Sequence, residues 1–213
     1  MGEPQFQFLL RGFGWTLALS AMAFALGIVA GLAVALARTS HSRLLARLAA
    51  GYIALFQGTP LLMQLFVVYY GLALAGLALE AWQAVAVGFT LYASAFLGEI
   101  WRGSIEAVPH GQTDAGHALG LHYLPLMKDV VLPQALRISL PATVGFLVQL
   151  LKGTSLAAIV GFTELTRAGS IIANQIFEPL LVFGIVGCFY FAICWPLSLY
   201  SARLEQRLAV SSR

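Results

Sequence analysis

Charge is missing from this chain in long blocks, and that pattern constrains the fold more than any residue that is present. Gly12 to Ala37 carries no Asp, Glu, Lys or Arg over 26 residues, and Leu48 to Leu79 none over 32. Similar blocks follow at Ala81 to Gly98 and Leu180 to Ser201. Runs of about 18 or more apolar residues are long enough for a helix to cross a bilayer with its backbone groups satisfied internally. The composition agrees. A chain of 213 residues that is 60% hydrophobic and 10% charged, with a mean hydropathy of +0.85, has more apolar surface than one small soluble core can hide. The sequence therefore predicts an all-α integral membrane protein with about five transmembrane helices.

The first span is placed at 13–37, roughly 37 Å of helix at 1.5 Å per residue. Its apolar block exceeds a signal-peptide core and only Arg11 precedes it, so a retained helix is expected. The 32-residue block is too long for one crossing and is interrupted by Gly58-Thr59-Pro60. The second span is therefore set at 59–78, after a short helix. The third covers 81–98 and closes on Glu99, Trp101 and Arg102, residues suited to an interface. The fourth, 138–160, contains Gln149, Lys152, Thr154 and Ser155, and the fifth covers 180–201. Lys and Arg mark the cytoplasmic side. With Lys152 set aside, Arg38, Arg43, Arg47, Arg102, Lys128, Arg137, Arg203, Arg207 and Arg213 fall on one face of this topology, against Arg11 and Arg167 on the other. The N-terminus is expected outside and the C-terminus in the cytoplasm.

The longest connection, 101–137, is too short to form a core of its own, so residues 1–213 are read as a single transmembrane domain. A Gly-rich phosphate loop with its Lys, an H-E-x-x-H pair and a nucleophile elbow are all missing from the sequence, which argues against an enzyme active site. His41, His110, His117 and His122 have no acidic or Cys partners at ligand spacing, and no metal is expected. Cys188 and Cys194 share one apolar block, where cysteine behaves as a small hydrophobe. The net charge of +3 comes without an aromatic-interleaved basic patch, so nucleic acid is not an expected partner.

Within the connection, Pro109 and Gly111 punctuate a turn, Gln112 or Thr113 can start a short helix, and Asp114 sits in its first turn near the positive dipole end. Ala115, Ala118, Leu119 and Leu121 give it a small apolar surface, and Gly120 can terminate it. These residues allow two readings: a knob that docks on a partner, or an amphipathic helix lying on the membrane. The stretch resembles the EAA loop of binding-protein-dependent ABC importer permeases, whose pattern is E-A-A, three residues, G, nine residues, then I-x-L-P. Asp114-Ala115-Gly116 stands for E-A-A, Gly120 for the Gly, and Val130-Val131-Leu132-Pro133 for the ending. Gly58-Thr59-Pro60-Leu61-Leu62, Glu99-Ile100-Trp101-Arg102-Gly103, Gly111-Gln112, Pro133-Gln134-Ala135-Leu136-Arg137, Leu140-Pro141 and Lys152-Gly153-Thr154-Ser155-Leu156 resemble blocks of the polar amino-acid branch. The match covers nearly the whole chain.

This resemblance implies a type I importer fold in a bacterial inner membrane, working with a second permease subunit, a cytoplasmic ATPase dimer and an external solute-binding protein. It implies no cofactor on this chain, since ATP and Mg belong to the ATPase. Gly111, Gln112, Asp114, Ala115, Ala118, Leu119, Gly120 and Leu121 become the candidate ATPase-coupling residues. There are departures from the pattern. Asp114 shortens the expected Glu, Gly116 replaces an Ala at about 0.8–1 kcal/mol of helix propensity, Gln57 stands where an Arg often precedes G-T-P, and Gly153 where an Asp often follows the Lys.

Polar groups at membrane depth are expensive and tend to line a path. Gln57, Thr59 and Gln64 flank the break before Pro60, and Gln149, Lys152, Thr154 and Ser155 share the fourth span, so these seven with Glu99 form the candidate solute path. Each has a structural alternative: a kink kept for packing, hydroxyls bonded to their own helix, an interfacial Glu99, or a Lys152 that snorkels or pairs with Glu164. The competing functions are a secondary transporter or channel and a non-transporting membrane scaffold. The odd number of spans and the absence of an evident internal repeat weigh against a secondary transporter.

Overall fold

In the computed structural model, which describes residues 2–211, the described residues form eight helices and no strand. Helix α1 (Glu3–Arg38) starts ten residues before the expected span. Pro4 is tolerated in a first turn because the missing N–H would be unpaired there anyway, and Gln5 Oε1 accepts the N–H of Gly2 at 2.7 Å. At roughly 54 Å, α1 outreaches the ~30 Å hydrocarbon core of a bilayer.

The second span departs furthest from expectation. Helix α2 (Arg43–Gln57) is as substantial as α3 (Leu61–Leu74), and the two meet at a bend of 103° across Gly58-Thr59-Pro60. Pro60 cannot continue the α2 ladder, which ends at Gly58 bonding Ala54 O. Neither piece crosses a bilayer alone, since α3 measures roughly 21 Å and ends at Leu74, short of Ala78. Together they are long and apolar enough to count as a fifth span if the bent pair is taken as one.

Helix α4 (Ala81–Glu106) runs eight residues past its expected end. The connection 101–137 is therefore mostly helical: after Glu106 come α5 (His110–Ala118) and then α6 (Tyr123–Val160), which begins well before residue 138. Between Leu126 and Val131 the α6 backbone widens to a π-helical turn just ahead of Pro133, and from Thr154 to Val160 it tightens to 3₁₀ before Gly161 closes it at φ +90°. Helix α7 (Leu165–Ile176) was not expected at all. Its buried Leu165, Ala168, Gly169, Ile172 and Ala173 follow a helical period. Helix α8 (Pro179–Ser211) continues through the residues read as a polar tail.

The core lies where α1 and α4 cross. Gly27 and Gly31 of α1 are one turn apart, and a Cβ built on them would stand 2.6 Å from Ala93 Cβ and 2.9 Å from Leu97 Cβ. Small residues let membrane helices approach closely and gain dispersion contact where lipid offers no hydrophobic drive. Leu19, Leu65, Val85, Phe89, Phe146 and Leu150 fill the space around this crossing. A second cluster, around Leu9, Ile172 and Val182, wedges α7 between α1 and α8.

Candidate functional site

The α5 loop is built largely from backbone. Gly120 takes φ +75°, Leu121 N–H donates to Gly116 O at 3.0 Å, and Gly120 N–H donates to His117 O at 2.9 Å. This paired closure satisfies the last carbonyls of the helix, as the placement of Gly120 led one to expect. Gly111, Gln112, Asp114, Ala115, Ala118, Leu119 and Gly120 are exposed, with Leu119 82% exposed. Small side chains on four of these seven leave a low, open face. Gly116 and Leu121 turn the other way, toward a small core of Val108, Leu126, Val131 and Ala135.

Propensity alone misjudged Gly116. A Cβ on this buried residue would run into Leu126 Cδ1, so the missing methyl is the space that Leu126 fills. A loss in helix propensity is thus offset by packing beneath the loop. Gln112 extends its Oε1 to Gln134 Nε2 at 3.3 Å, and Gln134 Nε2 also donates to Val130 O at 2.9 Å. The loop is tied to the root of α6 at both its floor and its side.

The candidate path residues separate into three groups. At the α2–α3 bend, Gln64 is buried, and its Nε2 donates to Phe56 O at 2.8 Å, Thr59 O at 3.0 Å and Thr59 Oγ1 at 2.9 Å. It pins the ends left unpaired by Pro60, while its buried Oε1 finds no partner among the described residues. Thr59 Oγ1 donates to Leu55 O at 2.7 Å, and Gln57 is exposed. On α6, Thr154 and Ser155 hydroxyls bond their own helix, to Leu151 O at 2.6 Å and Lys152 O at 2.8 Å. Gln149 Nε2 reaches the Tyr92 hydroxyl of α4 at 2.8 Å. Glu99 is clamped by the Arg102 guanidinium at 2.6 Å, which also pairs with Glu106.

Lys152 lines a cavity of about 330 Å³ with Tyr190, Phe191, Cys194, Trp195 and Ser198 of α8. No carboxylate pairs with it among the described residues, so the suggested pairing with Glu164 does not form. Gly153 beside it is walled in. A Cβ there would meet Leu61 Cδ2 at 3.3 Å and Phe89 Cε1 at 3.5 Å, which brings the α2–α3 bend against the tightening of α6.

Glu164 itself is a residue whose weight the sequence did not reveal. It is completely buried, and its carboxylate accepts the N–H groups of Thr166 and Arg167, both at 2.8 Å, capping α7. Tyr190 of α8 donates its hydroxyl at 3.0 Å and Thr16 of α1 at 3.5 Å, while Thr16 Oγ1 receives Leu165 N–H at 3.2 Å. One side chain thereby joins three helices. An acidic residue opening an amphipathic period at Leu165, Ala168, Gly169 and Ile172 was the available signal.

The description "Binding-protein-dependent transport system inner membrane component" names the family whose model matches residues 23–210. The chain is 35% identical over 204 residues to the probable amino-acid ABC transporter permease protein YckA of Bacillus subtilis, covering 96% of this chain and 90% of the relative. It is 33% identical over 210 residues to the arginine transport system permease protein ArtQ of the same organism, covering 96% and 94%. Among solved structures, a crystal structure of an amino acid ABC transporter with histidines superposes with a TM-score of 0.88 at 31% identity, covering 95% of this chain and 94% of that one. An inward-facing MetNI methionine ABC transporter shares the fold, with a TM-score of 0.80 at 22% identity. A family model spanning most of the chain, and relatives above 30% identity aligned nearly end to end, show that the chain belongs to the inner-membrane components of binding-protein-dependent transport systems, the non-catalytic permeases of ABC importers.

Proposed function

We propose that this permease pairs with a second permease subunit to form the translocation path for a polar amino acid, and that α5 is the element by which a cytoplasmic ATPase dimer drives it. The observation that carries this reading is the face of α5. Gly111, Asp114, Ala115, Ala118 and Leu119 stand exposed on a helix whose shape is fixed from below by Leu126 and at its end by Gly120. A rigid, low helix with an unpartnered apolar rim suits a socket on another chain better than it suits lipid alone. The N-terminus lies outside and the C-terminus in the cytoplasm, as the cation count supports, and a binding protein delivers solute from outside.

The amino-acid reading is supported by relatives whose names specify arginine, cystine and glutamine transport. Lys152, among Tyr190, Phe191 and Trp195, offers a cation for a solute carboxylate. With Gly153 where an acid is frequent, Leu61 and Phe89 against that space, and Glu99 paired with Arg102, the path offers no free counter-charge for a cationic side chain among the described residues. A neutral or acidic polar amino acid fits it best.

The test is ATP hydrolysis by the permease reconstituted with its ATPase and binding protein, comparing wild type with Gly120→Asp. Solute-loaded binding protein should stimulate hydrolysis in wild type, and the variant should insert normally yet lose that stimulation. Stimulation unchanged in the variant would remove α5 from the coupling route.

A further inference from the structure

Beneath α5 lies a cavity of about 610 Å³ that the coupling reading does not use. Its polar wall is assembled from three separate places in the sequence: Arg38 and His41 at the end of α1 and the following turn, His110, Thr113 and His117 of α5, and Glu106 at the end of α4. Glu106 brings the wall its carboxylate, and the Arg102 guanidinium already holds it. Arg38 has no ion-pair or hydrogen-bond partner for its side chain among the described residues. His41 is fixed edge-on against Tyr123 of α6, with ring centroids 5.3 Å apart at 80°. The rest of the lining is largely apolar, with Leu126 and Val131 in it.

This is a cavity with one unpaired arginine and several imidazole and hydroxyl groups beside apolar residues, large enough for a small ligand and brought together by the fold rather than by a run of charges. Arginine and imidazole N–H groups are the donors that a phosphate oxygen takes, and basic pockets between transmembrane helices on the cytoplasmic side suit anionic headgroups. We propose that the cavity binds a phosphate group, carried by an anionic membrane lipid or present as free phosphate, with Arg38 as its main charge partner and His41 and His117 as flanking donors. The occupant bridges the α1–α2 turn to α5 and steadies the loop from behind. The inner-leaflet source rests on the cytoplasmic placement of α5 given above. Binding itself is measured without ATP turnover, so its failure is separable from failure of the coupling reading.

The test uses the permease assembled with its partner subunits in nanodiscs of equal parts phosphatidylcholine and phosphatidylglycerol, with retained lipid weighed by native mass spectrometry. Wild type should retain phosphatidylglycerol, Arg38→Gln should weaken retention roughly fivefold, and Arg38→Lys should keep it. A control that removes exposed charges elsewhere, Arg203→Gln with Arg207→Gln, should leave it unchanged. In discs of phosphatidylcholine alone, inorganic phosphate is titrated by calorimetry. Arg38-dependent heat there, with no Arg38-dependent lipid retention, assigns the site to free phosphate. If neither phosphatidylglycerol retention nor phosphate heat depends on Arg38, the proposal is overturned.

Discussion

The α5 loop and the Glu164 junction hold their shapes by opposite means. At α5 the closure is made from backbone: two N–H bonds at the helix end, one left-handed glycine, and a floor where Leu126 occupies the place of a side chain. At Glu164 a single buried carboxylate draws in two amides and two hydroxyls from three helices. The two lie far apart, since Thr16 and Arg38 are separated by roughly 33 Å along α1. In the coupling role proposed for it, the α5 surface gains from small exposed residues with its structure carried beneath. A junction inside the bundle gains from desolvated hydrogen bonds, which are costly to leave unmade.

That contrast can be broken at either end. The largest effect is expected from Glu164→Ala, which strips the cap from α7 and removes the carboxylate that accepts from the Tyr190 and Thr16 hydroxyls. A loss on the order of 3 kcal/mol should appear as a clear drop in Tm in detergent, partly recovered by Glu164→Gln. An unshifted Tm would show the junction to be dispensable. Next comes Gly120→Val, where a β-branched residue is forced to φ +75° at about 1–2 kcal/mol. Stimulated ATP hydrolysis should fall far more than Tm, and the reverse order would mean that the loop is structural.

Gly116→Ala sharpens the comparison further. Helix propensity favours it by about 0.8–1 kcal/mol, whereas the clash with Leu126 costs about 1–3 kcal/mol. A net loss is expected, and Leu126→Val should reverse it in the double variant. If Gly116→Ala stabilises on its own, the floor is softer than its geometry indicates. The smallest effect is reserved for Gln149→Leu, which removes the bond to Tyr92. Hydrogen bonds between membrane helices average about 0.6 kcal/mol, so Tm should hardly move, and any larger fall in transport would place Gln149 in the path.

The sequence made one of these regions legible and hid the other, for a physical reason. The loop is specified locally: Pro109, Gly111 and Gly120 act on their own neighbours, and their order alone outlines a turn, a helix and a stop. Glu164 depends on Thr16, 148 residues away, and on Tyr190, 26 residues away, which no period or spacing displays. The apolar blocks located the long helices, but the helix ends lie elsewhere because apolarity measures lipid contact rather than helix. Helices α1, α4 and α8 simply continue into polar residues. The path candidates fared unevenly for a similar reason. Thr154 and Ser155 were read as candidates for the path because they are polar, yet whether a hydroxyl faces a path or its own backbone is decided by packing.

Gln64 gives the bend between α2 and α3 a further property. One amide nitrogen, its two hydrogens shared among three oxygens of the α2 end and the turn, braces the joint at 103°. A braced elbow is a crank: rotation of α2 about its own axis must sweep the far end of α3 sideways through an arc. Leu61 sits at the elbow end of α3 and lies against Gly153, so the pivot of that arc is seated on α6 beside Lys152.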